Sequence, residues 1–287
     1  MTPDQYCEDK AAKSGSSFYY SFRFLPDTRR KAITALYAFC REVDDVVDET
    51  SDPAIALQML NWWRNEIDNL FNEHPTHPVS KALVAHINPL RLQKKYFLEI
   101  IDGMQMDLDY NRYRDMQQLE LYCYRVASAV GLLSVEIFGY QNSQTLEYAR
   151  DLGMAFQLTN IIRDVREDAQ RERIYLPQSL LDEYSIDEQA LRQNQTPDEL
   201  ISLLRHFTKI ARQYYQSALS KLPDADRYQQ RPGIIMAEIY LATLDEIEND
   251  GFKVLDHRVK LTPLRKLWIA WRVARSERKR YKKQLKK

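Results

Sequence analysis

The stretch DLGMAFQLTNIIRDVREDAQRERIYLP, Asp151 to Pro177, decides how the chain folds. Gly153, Gln157, Asn160, Asp164 and Asp168 recur every three or four residues, so a helix places all five on one face while apolar residues cover the rest of its surface. Ala149 and Gly153 are small on that face and leave room for something bulky to lie against it. A second stretch repeats the device. In ALYAFCREVDDVVDE, Ala35 to Glu49, Asp44 and Asp48 stand one helical turn apart, with Tyr37 and Arg41 in the preceding turns of the same stripe and Val43, Val46 and Val47 free to pack elsewhere. A lone pair of acids at this spacing is ordinarily a solvated helix face. Two such pairs brought together across a cavity repel one another unless cations lie between them. Magnesium suits sparse Asp and Asn ligands, because it takes oxygen donors, keeps several waters and shares its coordination with phosphates. Arg41, Arg163, Arg171 and Arg173, beside the acids, have the planar fork that pairs with phosphate oxygens.

Outward from these stretches the chain continues to read as helix. Seven glycines and eleven prolines in 287 residues are few, while Leu, Ala, Glu, Gln, Arg and Lys are plentiful. Helices are expected from the Leu25–Thr28 segment LPDT to Glu49, from Ala54 to Phe71, and near 92–109, 116–138, 144–169, 197–220, 231–249 and 263–283. The Ser51-Asp52-Pro53 turn and the HPTHP break, His74 to Pro78, punctuate the first of them. With no repeat or linker, the reading is one all-α domain over 1–262, a helical bundle around a central cavity, followed by a basic helix and tail over 263–287. Cys7, Cys40 and Cys123 are widely spaced and odd in number, which suggests neither a disulfide framework nor a zinc site and fits a reducing cytoplasm. The start carries acids and no apolar run, and no later stretch reaches the ~18 uncharged apolar residues of a membrane span, so neither secretion nor a transmembrane anchor is expected.

The even balance of charge conceals an asymmetry. From Arg258 onward 13 Lys and Arg stand against one acid, Glu277, leaving 28 bases and 40 acids before it, so charges of +12 and −12 cancel. Within this tail Leu264, Leu267, Trp268, Trp271 and Ala274 fall at helical spacing among basic residues, a pattern that suits either an interfacial helix on an anionic membrane or an ordinary last helix packed on the bundle. No nucleic-acid reader motif accompanies the charge.

Five segments in this order resemble the squalene and phytoene synthase family. The two acidic stretches look like its aspartate-rich motifs; KSGSSFYYSFRFLP, Lys13 to Pro26, resembles its N-terminal substrate-binding segment; YCYRVASAVGLL, Tyr122 to Leu133, resembles its central helix; and RIYLP, Arg173 to Pro177, resembles the end of the second motif. The resemblance implies a magnesium-dependent prenyltransferase with two or three ions bridging diphosphate, held by Asp44, Asp48, Asn160, Asp164 and Asp168. It places Ser14, Gly15, Ser16, Ser17, Phe18, Tyr37, Arg41, Gln157, Arg163, Arg173 and Tyr240 against substrate, and gives Tyr122 a part in proton removal or in steering the cation. An apolar pocket must keep that cation from water, and Phe18, Phe22, Tyr122, Tyr124, Phe156 and Tyr240 are its expected lining. Two departures bear on cavity shape: Arg125 follows the YCY triplet, and Ser128 stands where the family's VAG motif has glycine.

Within the family, CREVDDVVDE, GMQMDLDYNRY and YCYRVASAVGLLS are most similar to the bacterial hopanoid-pathway branch, in which one enzyme makes presqualene diphosphate from two farnesyl diphosphates. That branch implies no NADPH, in keeping with the lack of a GxGxxG motif. The alternatives are a phytoene or dehydrosqualene synthase, a class I terpene cyclase or chain-elongating synthase, and a non-catalytic assembly factor of the same fold. The NIIRDVREDAQRERIYLP run argues against the cyclase, and the full complement of acids against the assembly factor.

Overall fold

The computed structural model describes residues 1–13, 21–22 and 25–286. The expected Ser14–Phe18 segment lies outside the described residues. The helices run α1 Pro3–Lys13, α2 Asp27–Glu49, α3 Pro53–Phe71, α4 Pro78–Ile87, α5 Lys94–Asp109, α6 Met116–Cys123, α7 Ala129–Phe138, α8 Gln144–Gln170, α9 Gln178–Glu183, α10 Asp198–Lys221, α11 Arg231–Asn249 and α12 Pro263–Gln284. Among the described residues there is no strand, only a single bridge between Arg112 and Ile174. Local chemistry sets several of the starts: Asp52 accepts from the Ala54 amide with Pro53 in the first turn of α3, and Asp115 accepts from the Gln118 amide to open α6. Gly139, at φ 81°, closes α7 in the left-handed region.

The structure adds to the expected elements and alters one. The Pro-rich break ends in a helix of its own, α4, because Pro78 is an N-terminal helix residue there rather than a breaker, and Val79, Ala82, Leu83 and Ile87 bury one face. The short helices α1 and α9 are likewise additions to the expected set. The single helix expected over 116–138 is divided by a π-helical turn, Tyr124–Ser128, in which the Ala129 amide reaches back to the Tyr124 carbonyl. The stretch Met116–Phe138 is long and apolar enough by length and composition to cross a membrane, with a mean hydropathy of 1.4 in its most apolar part, but it carries Glu120, Arg125 and Glu136 and so is not the uncharged apolar run whose absence the sequence showed. Half of it is buried inside the bundle, where it packs on α5 and α8.

Two apolar clusters build the core. One lies among α2 to α5, around Phe39, Ile67, Leu83 and Phe97; the other surrounds α8, which packs along α10, α11 and the π-turn. Here the reading of small residues needs correction. A Cβ on Gly153 would stand 2.6 Å from Ser128 Cα and 2.7 Å from Ser128 N, and one on Gly131 would stand 2.7 Å from the Ala149 carbonyl oxygen. The space that a side chain at Gly153 would need is therefore taken up by backbone of the π-turn, although Ala149 and Gly153 also border an apolar cavity. Ser128 is fully buried and donates to the Arg150 carbonyl at 2.7 Å, so its hydroxyl serves the contact between helices and does not line the cavity.

Gly153→Ala is expected to destabilise the protein by roughly 1–3 kcal/mol, the usual effect of overpacking a well-filled core. The thermal midpoint by circular dichroism should fall by several degrees. A variant that melts with the wild type would show that α8 and the π-turn do not meet as closely as described.

Candidate active site

The acids of α2 and α8 line a common polar chamber of about 1390 Å³, counted to its open mouth. Asp44 and Asp48 come from α2; Gln157, Asn160, Arg163, Asp164 and Asp168 come from α8; Arg171 and Arg173 come from the turn after it. That turn ties the two helices together. Arg171 Nη1 donates to Asp48 Oδ2 and Arg173 Nη1 to Asp48 Oδ1, both at 2.7 Å, while Arg173 Nη2 reaches the Val47 carbonyl. Arg41 bridges Asp44 and Asp45, Arg163 lies along Asp164 and hydrogen-bonds Tyr240, and Arg258 stands 2.9 Å from both Asp164 and Glu167. Among the described residues, Asp168 has no ion pair.

Crowding and burial set the protonation of the chamber. Burial, followed by the charges of Asp164 and Asp107, pushes the Asp168 carboxyl up to about 8. Asp44 is pushed up to about 6, by burial and then by Asp48 and Asp45, against the pull of Arg41. Burial acts on Asp48 in the same sense, but the hydrogen bonds and charges of Arg173 and Arg171 outweigh it and hold that group below the ordinary carboxylate range. Asn160 Oδ1 is a buried acceptor with no hydrogen-bond partner, while its amide nitrogen is 3.3 Å from Gln157 Oε1. An orphaned oxygen beside carboxylates that resist ionising together is a donor set suited to a hard cation. Among the described residues no three His, Cys, Asp or Glu side chains converge as an all-protein metal cage.

An apolar cavity of about 990 Å³ opens from the chamber, and Tyr37, Cys40, Val126, Gln157 and Asn160 line both. Of the expected lining, Phe22, Phe156 and Tyr240 face the cavity, with the last two rings 4.8 Å apart, and Tyr122 faces the polar chamber. Tyr124 lines neither. The π-turn carries it outward, where the Arg150 guanidinium sits 5.7 Å from its ring centroid. Every other expected site residue that is described, from Tyr37 and Arg41 to Arg173 and Tyr240, borders one space or the other.

Four charged or hydroxyl-bearing chamber residues are absent from the set expected from sequence. Asp107 accepts from Tyr175 Oη at 2.8 Å and from Tyr122 Oη at 3.0 Å, and burial pushes its carboxyl up to about 7. A signal for it exists: with Phe97, Ile100 and Met104 it continues a stripe that is otherwise apolar. Tyr175 stands inside RIYLP, where sequence alone marks only the end of a motif. Glu167 and Arg258 carry no usable signal, since nothing in sequence spacing brings position 258 onto α8.

Residues 11–265 match the family model for squalene/phytoene synthase. The chain is 35% identical over 277 residues to a presqualene diphosphate synthase of Sinorhizobium fredii, covering 94% of this chain and 96% of that protein. It is 33% identical over 276 residues to a phytoene synthase of Arthrospira platensis, covering 92% and 89%. In three dimensions it superposes on the crystal structure of a dehydrosqualene synthase with a TM-score of 0.85 at 27% identity, over 96% of this chain and 97% of that one.

The chamber makes a testable statement about pH. Asp44, Asp107 and Asp168 hold protons more tightly in the folded chain than in the unfolded one, so their contribution to stability is complete below about pH 4 and is lost as pH rises through about 6, 7 and 8. Asp48 has the opposite sign, but its effect is confined to pH below about 4. In metal-free protein the melting advantage of Asp168→Asn over wild type should therefore grow from about pH 5 to about pH 9, a difference in which the oppositely signed contributions of His77 and His86 cancel. A difference that does not grow across this range would contradict the crowded chamber.

Proposed function

The chain belongs to the squalene/phytoene synthase family and is a prenyltransferase that condenses prenyl diphosphates head to head; from that premise we propose that it joins two farnesyl diphosphates into presqualene diphosphate, ahead of squalene in hopanoid biosynthesis. The observation that carries the reading is the continuity of the charged chamber with the apolar cavity, which matches a substrate with a diphosphate head and a long hydrocarbon tail. The near end-to-end match to the Sinorhizobium fredii synthase supports the choice of product. A second reading, phytoene from geranylgeranyl diphosphate, is favoured by the similarly extensive match to phytoene synthases.

Asp44, Asp48, Asn160, Asp164 and Asp168 would hold the magnesium ions, which when bound neutralise charge building on the departing diphosphate. Arg41, Arg163 and Arg173 exchange their carboxylate partners for diphosphate oxygens, and Tyr37 and Gln157 stand at the throat where head meets tail. The family resemblance adds Ser14, Gly15, Ser16, Ser17 and Phe18 to the proposed substrate-binding residues. Phe22, Phe156 and Tyr240 exclude water from the allylic cation and present ring faces to it. Attack by the second substrate's double bond and loss of a proton then close a cyclopropane. The overall change is redox-neutral, so NADPH has no part in it.

Purified enzyme given farnesyl and geranylgeranyl diphosphates with Mg²⁺ and no NADPH should yield presqualene diphosphate by mass spectrometry. Asp44→Asn and Asp164→Asn should each slow turnover by about 100-fold or more, with the helical circular dichroism unchanged. Phytoene as the product, with farnesyl diphosphate left unused, would overturn the substrate assignment; near wild-type turnover in either variant would overturn the metal assignment.

Attachment to the cytoplasmic face of an anionic membrane belongs to the same reading. The helix α12 buries Ile269, Ala270, Val273 and Glu277, and a different face carries Leu264, Leu267, Trp268 and Trp271 into solvent at 79%, 39%, 56% and 53% exposure. The packed face and the apolar stripe are thus separate, and the stripe is free for lipid. Arg265, Arg272 and Arg280 pair with Glu246, Glu238 and Asp224 on the bundle, while Arg278, Lys279, Lys282 and Lys283 make no ion pair among the described residues. Each basic residue near an anionic surface contributes on the order of 1 kcal/mol. The full chain should co-sediment with phosphatidylglycerol vesicles at low salt and release at high salt, and Trp268→Ser/Trp271→Ser should bind at least about tenfold more weakly. Binding indifferent to salt, to lipid charge and to the tryptophans would remove the membrane role.

A further inference from the structure

The reaction ends with a proton to be disposed of, and the chamber holds a buried carboxylate outside the expected set of metal ligands. Asp107 lies in the chamber wall on α5 with both oxygens occupied by phenols, Tyr175 at 2.8 Å and Tyr122 at 3.0 Å, and the two hydroxyls are 3.2 Å from one another. The rings are fixed. Tyr122 and Tyr175 stack at 5.0 Å with planes 23° apart, and Tyr113 closes the group at 5.3 Å from Tyr122 and 5.7 Å from Tyr175. Arg173, Asp44 and Asp168 face the same carboxylate electrostatically.

A phenol whose hydrogen is committed to a carboxylate offers its surroundings only lone pairs. Tyr122, which borders the chamber, is therefore set as an acceptor, and it can take a proton without acquiring charge if its own hydrogen moves on at the same time. We propose that Asp107 is the positioning residue for Tyr122 and the terminus of a proton relay that serves the ring-closing step. In that step the C–H bond next to the carbocation breaks and its electron pair forms the third side of the cyclopropane. The proton arrives on Tyr122 Oη as the hydrogen already there passes to Asp107, directly or by way of Tyr175. A neutral phenol and a neutral carboxylic acid remain, and solvent in the chamber later takes the proton. The inference rests on the head-to-head reading of the site.

The test compares release of diphosphate with formation of cyclopropane in the full chain supplied with farnesyl diphosphate and Mg²⁺. Wild type should release one diphosphate per cyclised product, as the reaction requires. In Asp107→Asn, ionisation survives while proton removal fails: cyclised product should fall by about 100-fold or more, and diphosphate release by less than about tenfold, the balance emerging as prenyl alcohols. Tyr122→Phe should uncouple in the same way, and Asp107→Glu should bring the ratio back toward wild type. Asp107→Ser, which leaves space for a bridging water, provides a second reading if the asparagine variant folds poorly. Parallel loss of both products in the folded Asp107 variants, with the ratio unchanged, would reduce Asp107 to a structural residue and overturn the relay. Wild type that releases no diphosphate from farnesyl or geranylgeranyl diphosphate would instead remove the reading on which the relay rests.

Discussion

Four aspartates on two helices press negative charge into one chamber, and the fold persists because arginines are interleaved among them. Asp48 receives two guanidinium groups from the turn after α8, Asp44 receives Arg41, and Asp164 receives Arg163 and Arg258. Removing one member of such a set strands an uncompensated charge in a poorly solvated place. On the proposed reading, a cation held by these carboxylates would free guanidinium groups whose fork geometry suits diphosphate oxygens. Metal and substrate would then relieve one another's desolvation, and each would bind best in the company of the other.

The chamber opens into an apolar cavity because of how two helices approach. Gly153 and Gly131 bring α8 within backbone contact of the π-turn and α7, and a side chain at either position would force them apart. The π-turn begins directly after Cys123: Tyr122, before it, faces the acids; Tyr124, its first residue, faces outward; Val126 borders both the chamber and the cavity. One irregular turn therefore separates the polar wall from the apolar one. Ser128, one of the two departures from the family pattern, spends its hydroxyl on the Arg150 carbonyl and does not line the cavity.

The sequence is most legible where periodicity and chemistry coincide. The stripes Tyr37-Arg41-Asp44-Asp48 and Gln157-Asn160-Asp164-Asp168 can be read as faces of helices because polar residues recur where apolar ones are expected, and the structure brings them to one chamber. Long helices are legible, whereas α1, α4 and α9 are not, since 6 to 11 residues hold too few turns for a pattern to emerge. The π-turn is hidden for a different reason: its extra residue leaves hydrophobicity unchanged and only rotates the residues after it. Arg258 illustrates a third limit, because its pairing with Asp164 depends on the path of the whole chain. Tyr124 shows the same limit from the other side, as an aromatic near the chamber-facing Tyr122 that the local backbone directs away.

The basic C-terminal region reads in sequence as separate from the site, yet its beginning reaches the chamber. Burial, then the charges of Arg163, Lys260 and Arg258, hold the Lys266 ammonium below its ordinary value. These four cations therefore lie near enough to feel one another, and Arg163 and Arg258 border the chamber directly. The first turn of α12 carries Lys266 toward this rim, and the exposed Leu264, Leu267, Trp268 and Trp271 lie on the same helix. A prenyl diphosphate is itself divided in this way, with an anionic head and a tail that prefers hydrocarbon. On the membrane reading, one short helix addresses both ends: its tryptophans at the lipid from which the tail departs, and Lys266 among the cations that draw the head inward. The +12 charge counted from Arg258 onward divides by position: Arg258 borders the chamber, Arg265, Arg272 and Arg280 pair with acids of the bundle, and Arg278, Lys279, Lys282 and Lys283 make no ion pair among the described residues.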